Sequence, residues 1–135
     1  MNIITQNTIE AYTKLTRILN KLQGIIQEPI EKNRFVVDAT IKRFSLSFIA
    51  LEDLLKALLL DYDEVKANNS KTIFKKACKA DLINNKGSWI KMYKDRKKIS
   101  YVYCDEIVDK IYTRIPEHLT VMQKIHTQLA EKLEL

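Results

Sequence analysis

The stretch Asp95-Arg96-Lys97-Lys98-Ile99-Ser100-Tyr101-Val102-Tyr103 holds the side chains of this chain best suited to chemistry. A guanidinium and two ammonium groups can grip a phosphate, a hydroxyl can add a hydrogen bond, and two phenols can stack on a base. Arg96, Ser100 and Tyr103 are spaced i, i+4 and i+7, so they share a face if a helix continues through them. Tyr101 would then lie about 140° round from Arg96. The same residues also read as a basic helix end followed by two core tyrosines, and residue types alone leave both readings open.

Other reactive side chains are isolated. His118 and His126 stand eight positions apart, about 80° round a helix, and neither has a ligand partner at i+4. His126 falls on an apolar stripe and is expected in the core, hydrogen-bonded, whereas His118 is expected at the surface. Cys78 and Cys104 are separated by 26 positions with no CxxC pair, which is neither a disulfide framework nor a zinc site. Cys78 falls on an apolar helix face, and Cys104 adjoins Asp105 and Glu106, a field that disfavours a thiolate. Gly24 and Gly87 are the only glycines, so no Gly-rich phosphate loop can form. No HExxH or GxSxG is present, and neither a metal nor any other cofactor is expected.

Charge singles out the same part of the chain. Of 135 residues with a net charge of +6, residues 66–100 carry eleven basic and two acidic side chains. The segments on either side are slightly acidic. A concentrated positive field attracts phosphates or another acidic partner. The alternative is a lysine-rich face that serves solubility, as in a purely structural interaction module.

The elements that must position these groups are helical. Two glycines and two prolines in 135 residues, far below average usage, argue against the turn-rich sandwiches and barrels. A first helix is expected over about 5–26, with Tyr12, Leu15, Leu19, Leu22 and Ile26 in steps of three and four. Gly24 and the Glu28-Pro29 step end it. A second begins after Asn33, a good cap, and carries Val37, Ile41, Phe44, Phe48, Leu51, Leu55 and Leu58 in alternating steps of four and three. Its length of roughly 40 Å exceeds the roughly 28 Å of a compact globule of this size. An elongated bundle, with part of this helix covered by a second subunit, solves that mismatch. A short third helix is expected over 70–82 with Ser70 as cap, Ile73, Phe74, Ala77 and Cys78 inward, and Lys71, Lys75 and Lys79 outward. A fourth starts at Trp89 behind Ser88, and residues 99–103 weaken it through β-branched and aromatic side chains. A fifth starts near Asp105 with Ile111, Ile115, Leu119, Met122, His126, Leu129 and Leu133 inward, and Pro116 predicts a kink or broken turn. The longest apolar run, residues 57–60, is too short to span a membrane, and the N-terminus shows no signal peptide.

Three blocks resemble the nucleotidyltransferase substrate-binding family, a branch of the HEPN domains (higher-eukaryote and prokaryote nucleotide-binding helical bundles). The first is Ile41, Lys42, Arg43, Phe44 and Phe48. The second runs Ile73-Phe74-Lys75-Lys76-Ala77-Cys78-Lys79-Ala80-Asp81-Leu82-Ile83. The third is Trp89, Met92, Arg96, Ser100 and Tyr103, followed by Ile111-Tyr112. The resemblance covers most of the chain from about residue 37. It implies an up-and-down bundle that pairs with itself, and a minimal nucleotidyltransferase partner encoded nearby. In several relatives the pair is a toxin–antitoxin module. The helical protein there is a metal-independent RNase using an Arg and a His, and it is silenced by adenylation of a nearby tyrosine. Carried over, Arg96 matches the motif Arg and Tyr103 the modifiable Tyr, while the His position falls on Tyr101. A phenol with an ordinary pKa of about 10 is a poor substitute for an imidazole near 6.5 as a base at neutral pH.

The reading is an all-α, up-and-down four-helix bundle with an additional short helix, one domain over residues 1–135, forming a cytoplasmic homodimer. Its expected function is that of an accessory subunit of a two-component nucleotidyltransferase system, binding a nucleotide or RNA phosphate. Arg96, Lys97, Ser100 and Tyr101 form the expected phosphate site and Tyr103 the modification site. The alternative is a HEPN-type RNase toxin with Arg96 and Tyr101 as catalytic residues.

Overall fold

Side-chain caps start the first three helices of this protein, whose computed structural model describes residues 4–28, 33–84, 86–101 and 103–134. Thr5 accepts from the Thr8 amide at the head of α1 (Gln6–Gln27), and Asn33 accepts from the Val36 amide at 3.0 Å at the head of α2 (Arg34–Asp63). At α3 (Ser70–Lys79) the cap is Asn69, whose Oδ1 takes the Thr72 amide at 2.9 Å. Ser70, the expected cap, is therefore the first helical residue, and its hydroxyl is free for another task. Two further helices follow, α4 (Lys86–Tyr101) and α5 (Asp105–Leu133). All described regular structure is helical.

Several ends differ from the sequence expectation for identifiable reasons. α3 stops at Lys79 because Asp81 turns left-handed, at φ 61°, and closes the helix. The Asp81 and Leu82 amides then bond back to Cys78 and Ala77, a Schellman ending with Leu82 buried beneath it. α4 begins at Lys86 rather than Trp89. Gly87 and Ser88 sit in its first turn, where amides have no intrahelical partner anyway and a poor helix former costs little. α5 runs unbroken across Pro116, which lies on the exposed face. The lost backbone bond there is offset by the buried neighbours Ile115 and Leu119. The expected chain breaks at Pro29 and Asn85 fall outside the described residues, as does Val102.

α2 is the axis of the bundle and touches all four other helices. Phe44, Phe48, Leu51, Leu54, Leu55 and Leu58 on it are each at most 1% exposed. Leu15, Leu19 and Leu22 of α1 pack against them, together with Trp89 and Met92 of α4 and Ile111, Ile115 and Met122 of α5. α1 and α2 run antiparallel: Thr5 and Thr8 at the start of α1 donate to Asp61 near the end of α2. α1 and α5 are antiparallel too, joined through Thr16 with His126 and Gln23 with Gln123. The outer side of α2 keeps Phe35 (86% exposed), Leu46 (41%) and Leu60 (46%) in solvent, within about 40° of one another round the helix.

Candidate functional site

The C-terminal half of α4 forms one wall of a cavity of about 670 Å³ that α2 and the start of α3 complete. Arg96, Lys97, Ser100 and Tyr101 all line it. Relative to Arg96 they stand at about 0°, 100°, 40° and 140° round the helix, and Tyr93 at about 60°. They thus share one broad face, which holds together because α4 stays helical to Tyr101.

Tyr103 is not on that face. The helix ends two residues before it, and its hydroxyl donates to Asp38 Oδ1 of α2 at 2.7 Å. That corrects the expected alignment of Arg96, Ser100 and Tyr103. Burial, the Asp38 hydrogen bond and the Asp38 charge push the Tyr103 phenol up to about 12. Arg34 stands beside this group, paired with Asp109 at 3.0 Å and with Asp105 at 3.8 Å. Titrated by ultraviolet absorbance, Tyr103 should ionise well above the ordinary phenol range, near 12. Asp38→Asn should bring its pKa down by about one unit or more, because both the acceptor charge and the repulsion of the phenolate go.

The rest of the cavity comes from residues that sequence reasoning passed over as sites. α2 supplies Glu52, Asp53 and Lys56, and α3 supplies Ser70 and Lys71. Four cationic side chains (Lys56, Lys71, Arg96 and Lys97) thus face two carboxylates, an excess of positive charge. Glu52 is only 8% exposed. Burial pushes its carboxyl up; a hydrogen bond with Ser70 and the Arg96 charge pull against that, and Asp53 adds to it. The Ser70 bond is open to it because Asn69 took over the capping. Among the described residues, two buried side-chain polar atoms lack a hydrogen-bond partner, Glu52 Oε2 and Arg96 Nε, and both belong to this cavity. Buried polar atoms are partnered in the great majority of cases, so two orphans in one cleft mark a place shaped for something else. Ser100 spends its proton on the Arg96 carbonyl at 3.2 Å, the usual habit of a helical serine, and must rotate to serve a ligand. The Lys97 ammonium lies 5.9 Å from the Tyr93 ring centre and 6.0 Å from that of Tyr101, at the outer reach of a cation–π contact.

Behind Arg96, a buried network holds α4 in place. Asp95 takes two hydrogen bonds from Arg114 of α5, at 2.7 and 2.9 Å, and lies 2.7 Å from His118 Nε2. An ionised carboxylate only accepts, so His118 Nε2 carries the donated proton. Burial alone would raise the Asp95 carboxyl, but the His118 and Arg114 hydrogen bonds and the Arg114 charge outweigh it and hold it at about 2. The His118 ring also stacks on Phe44, centroids 5.1 Å apart, so α2, α4 and α5 meet here. His118 is thus 2% exposed rather than superficial, because Asp95 gives an imidazole a partner inside the bundle. His126, expected in the core, is half-buried, bonded to Thr16 at 2.7 Å and stacked on Tyr12. Its pKa is lowered by burial. Cys78 is half-buried and burial pushes its thiol up, while Cys104 is exposed. Among the described residues no three His, Cys, Asp or Glu are grouped to hold a metal ion, and no helix is long and apolar enough to cross a membrane.

The model of the family described as "Nucleotidyltransferase substrate binding protein like" matches residues 6–131. A crystal structure of a protein from Thermus thermophilus is similar in fold, with a TM-score of 0.75 at 20% sequence identity. The match covers 85% of this chain and 98% of that one. A search of curated proteins found no significant match.

Proposed function

The chain belongs to the nucleotidyltransferase substrate binding protein like family, and from that premise we propose that it is the substrate-binding subunit of a two-component nucleotidyltransferase system. It grips the phosphates of a nucleotide or RNA in the cavity between α2, α3 and α4. Arg96 and Lys97 hold the phosphates with help from Lys56 and Lys71, and Ser100 and Tyr101 complete the α4 wall. The observation that carries this reading is the unpartnered, buried Arg96 Nε beside three lysines. A guanidinium with an unspent donor binds phosphate oxygens through charge-assisted hydrogen bonds.

In this reading the chain is one HEPN-type domain and works in the cytoplasm beside a minimal nucleotidyltransferase encoded nearby, with the pair forming a toxin–antitoxin module. It pairs with itself through the outer side of α2, where Phe35, Leu46 and Leu60 are exposed. Tyr103 is the adenylation target. Its phenol is 54% exposed and already donates to Asp38, which can take the proton as the oxygen attacks the α-phosphate of ATP and pyrophosphate leaves.

Binding of a short single-stranded RNA, followed against salt, tests the phosphate grip. Four cations imply a slope near −3 in log affinity against log salt, or about a fiftyfold loss between 50 and 200 mM. A flat salt response contradicts it. A second reading, a metal-independent RNase, draws on Tyr101 lying in the same cavity as Arg96. It requires RNA cleavage in the presence of a chelator, abolished by Arg96→Ala.

A further inference from the structure

Between α3 and α4 lies a second, smaller cavity of about 280 Å³. Phe74 of α3 and Trp89, Ile90 and Tyr93 of α4 give it walls that are almost wholly apolar. It shares Ser70, Lys71 and Tyr93 with the cationic cavity, so the two spaces adjoin with Tyr93 as a common wall. The aromatic wall is braced from behind. Trp89 is 2% exposed, lies nearly parallel to Phe74 with centroids 5.6 Å apart, and leans on Phe48 at 4.9 Å. Lys71 serves both spaces, and Lys94 is the other charge lining the slot.

We propose that this slot is a nucleobase subsite: it takes the base of the nucleotide whose phosphates occupy the neighbouring cationic cavity. The inference rests on the phosphate-binding reading above and adds to it where the base goes. An apolar, aromatic-walled slot opening beside clustered cations matches a ligand with a flat apolar ring at one end and negative charge at the other. That is the chemistry of a nucleotide. A free aliphatic ligand would leave the cations unused, and inorganic phosphate would leave the slot unused. Size agrees, since the slot is below the usual range for a complete drug-sized ligand and suits one ring system. Tyr101, the other aromatic of the cationic cavity, is 77% exposed and offers a ring largely in water. The slot has few polar atoms, so the base is held by its faces rather than read by hydrogen bonds. Purines are then favoured over pyrimidines through their larger stacking area, with little discrimination between adenine and guanine.

Trp89 is the only tryptophan, so its fluorescence reports on the slot. The test titrates the full chain with ADP and with inorganic pyrophosphate, using calorimetry for affinity and Trp89 emission for location. ADP should bind at least about fivefold tighter than pyrophosphate, the lower end of what one stacked base contributes, and should change Trp89 emission, while pyrophosphate should not. Phe74→Ala should remove the ADP advantage and leave pyrophosphate affinity unchanged, which also reports that the variant is folded. Ile90→Ala provides the same comparison at a slot residue that is not packed on the main core. Equal binding of ADP and pyrophosphate with silent Trp89 overturns the subsite while leaving the phosphate grip standing. An ADP advantage that survives both slot variants but is lost in Tyr101→Ala also overturns it, moving the base to Tyr101. If neither ligand binds, the phosphate-binding reading fails and the subsite falls with it.

Discussion

Asp95→Ala should lower the unfolding free energy by about 3 kcal/mol, a shift of roughly 150-fold in the folded-to-unfolded ratio that chemical denaturation at neutral pH would read. The size follows from what is left behind. His118 is 2% exposed and would lose the acceptor for its Nε2 proton, and the Arg114 guanidinium would lose both of its bonds. Arg114 can turn to solvent, because its side chain is 40% exposed, so the loss stays at the lower end of the range for a broken buried pair. The same group carries a pH signature. The folded carboxyl titrates at about 2 against about 3.9 in an unfolded chain. Its contribution is therefore complete above about pH 4 and is lost as pH falls through about 2. Wild type should lose stability more steeply than Asp95→Ala over that interval, and parallel curves would contradict the ionised network.

Arg96→Ala should weaken nucleotide binding by about thirtyfold or more while changing stability by less than about 1 kcal/mol. The binding loss is large because the guanidinium is the one cation of the cavity with a buried, unpartnered donor among the described residues. Its removal also leaves Glu52 and Asp53 facing the ligand with less to offset them. The stability effect is small because Arg96 Nε has no hydrogen-bond partner to lose, and Glu52, whose carboxyl burial already pushes up, takes a proton when the Arg96 charge goes. Arg96 and Asp95 are adjacent in sequence yet point to different tasks. Asp95 faces α5 and pins the helix, and Arg96 faces the cavity that the pinned helix presents. A variant pair with the opposite pattern, stability lost at 96 and binding lost at 95, would contradict this division.

The residues that sequence reasoning reached are those whose local pattern decides their place. The alternating steps of four and three from Val37 to Leu58 put α2 at the centre of the core, and Asn33 caps it as its residue type suggests. The basic run ending at Tyr101 lies on one helix, so Arg96, Lys97, Ser100 and Tyr101 could be grouped without knowing what packs against them. Where partners come from other elements, sequence was silent. Glu52 looks like any charged residue on a helix, and only the approach of Ser70 and Arg96 makes it a buried carboxylate in a cationic cleft. Lys71 belonged to an outward lysine stripe; the packing of α3 beside α2 and α4 turns it into the cavity. His118 is hidden from sequence for the same reason, since a buried imidazole depends on an acceptor 23 positions away. Tyr103 leaves the expected face because the helix ends at Tyr101, two residues before it, and the phenol turns to Asp38. Capping also misled locally, because Asn69 and Ser70 are both good caps and the choice between them decides what Ser70 can reach.

Amide and side-chain NMR shifts during titration with a nucleoside diphosphate decide whether the cleft of α2, α3 and α4 is where phosphate is held. The largest changes are expected at Glu52, Ser70, Lys71, Arg96, Lys97 and Ser100, with the Arg34, Asp38 and Tyr103 end of the bundle nearly still. Changes concentrated at that end, or on α1, with the cleft residues unmoved would contradict it.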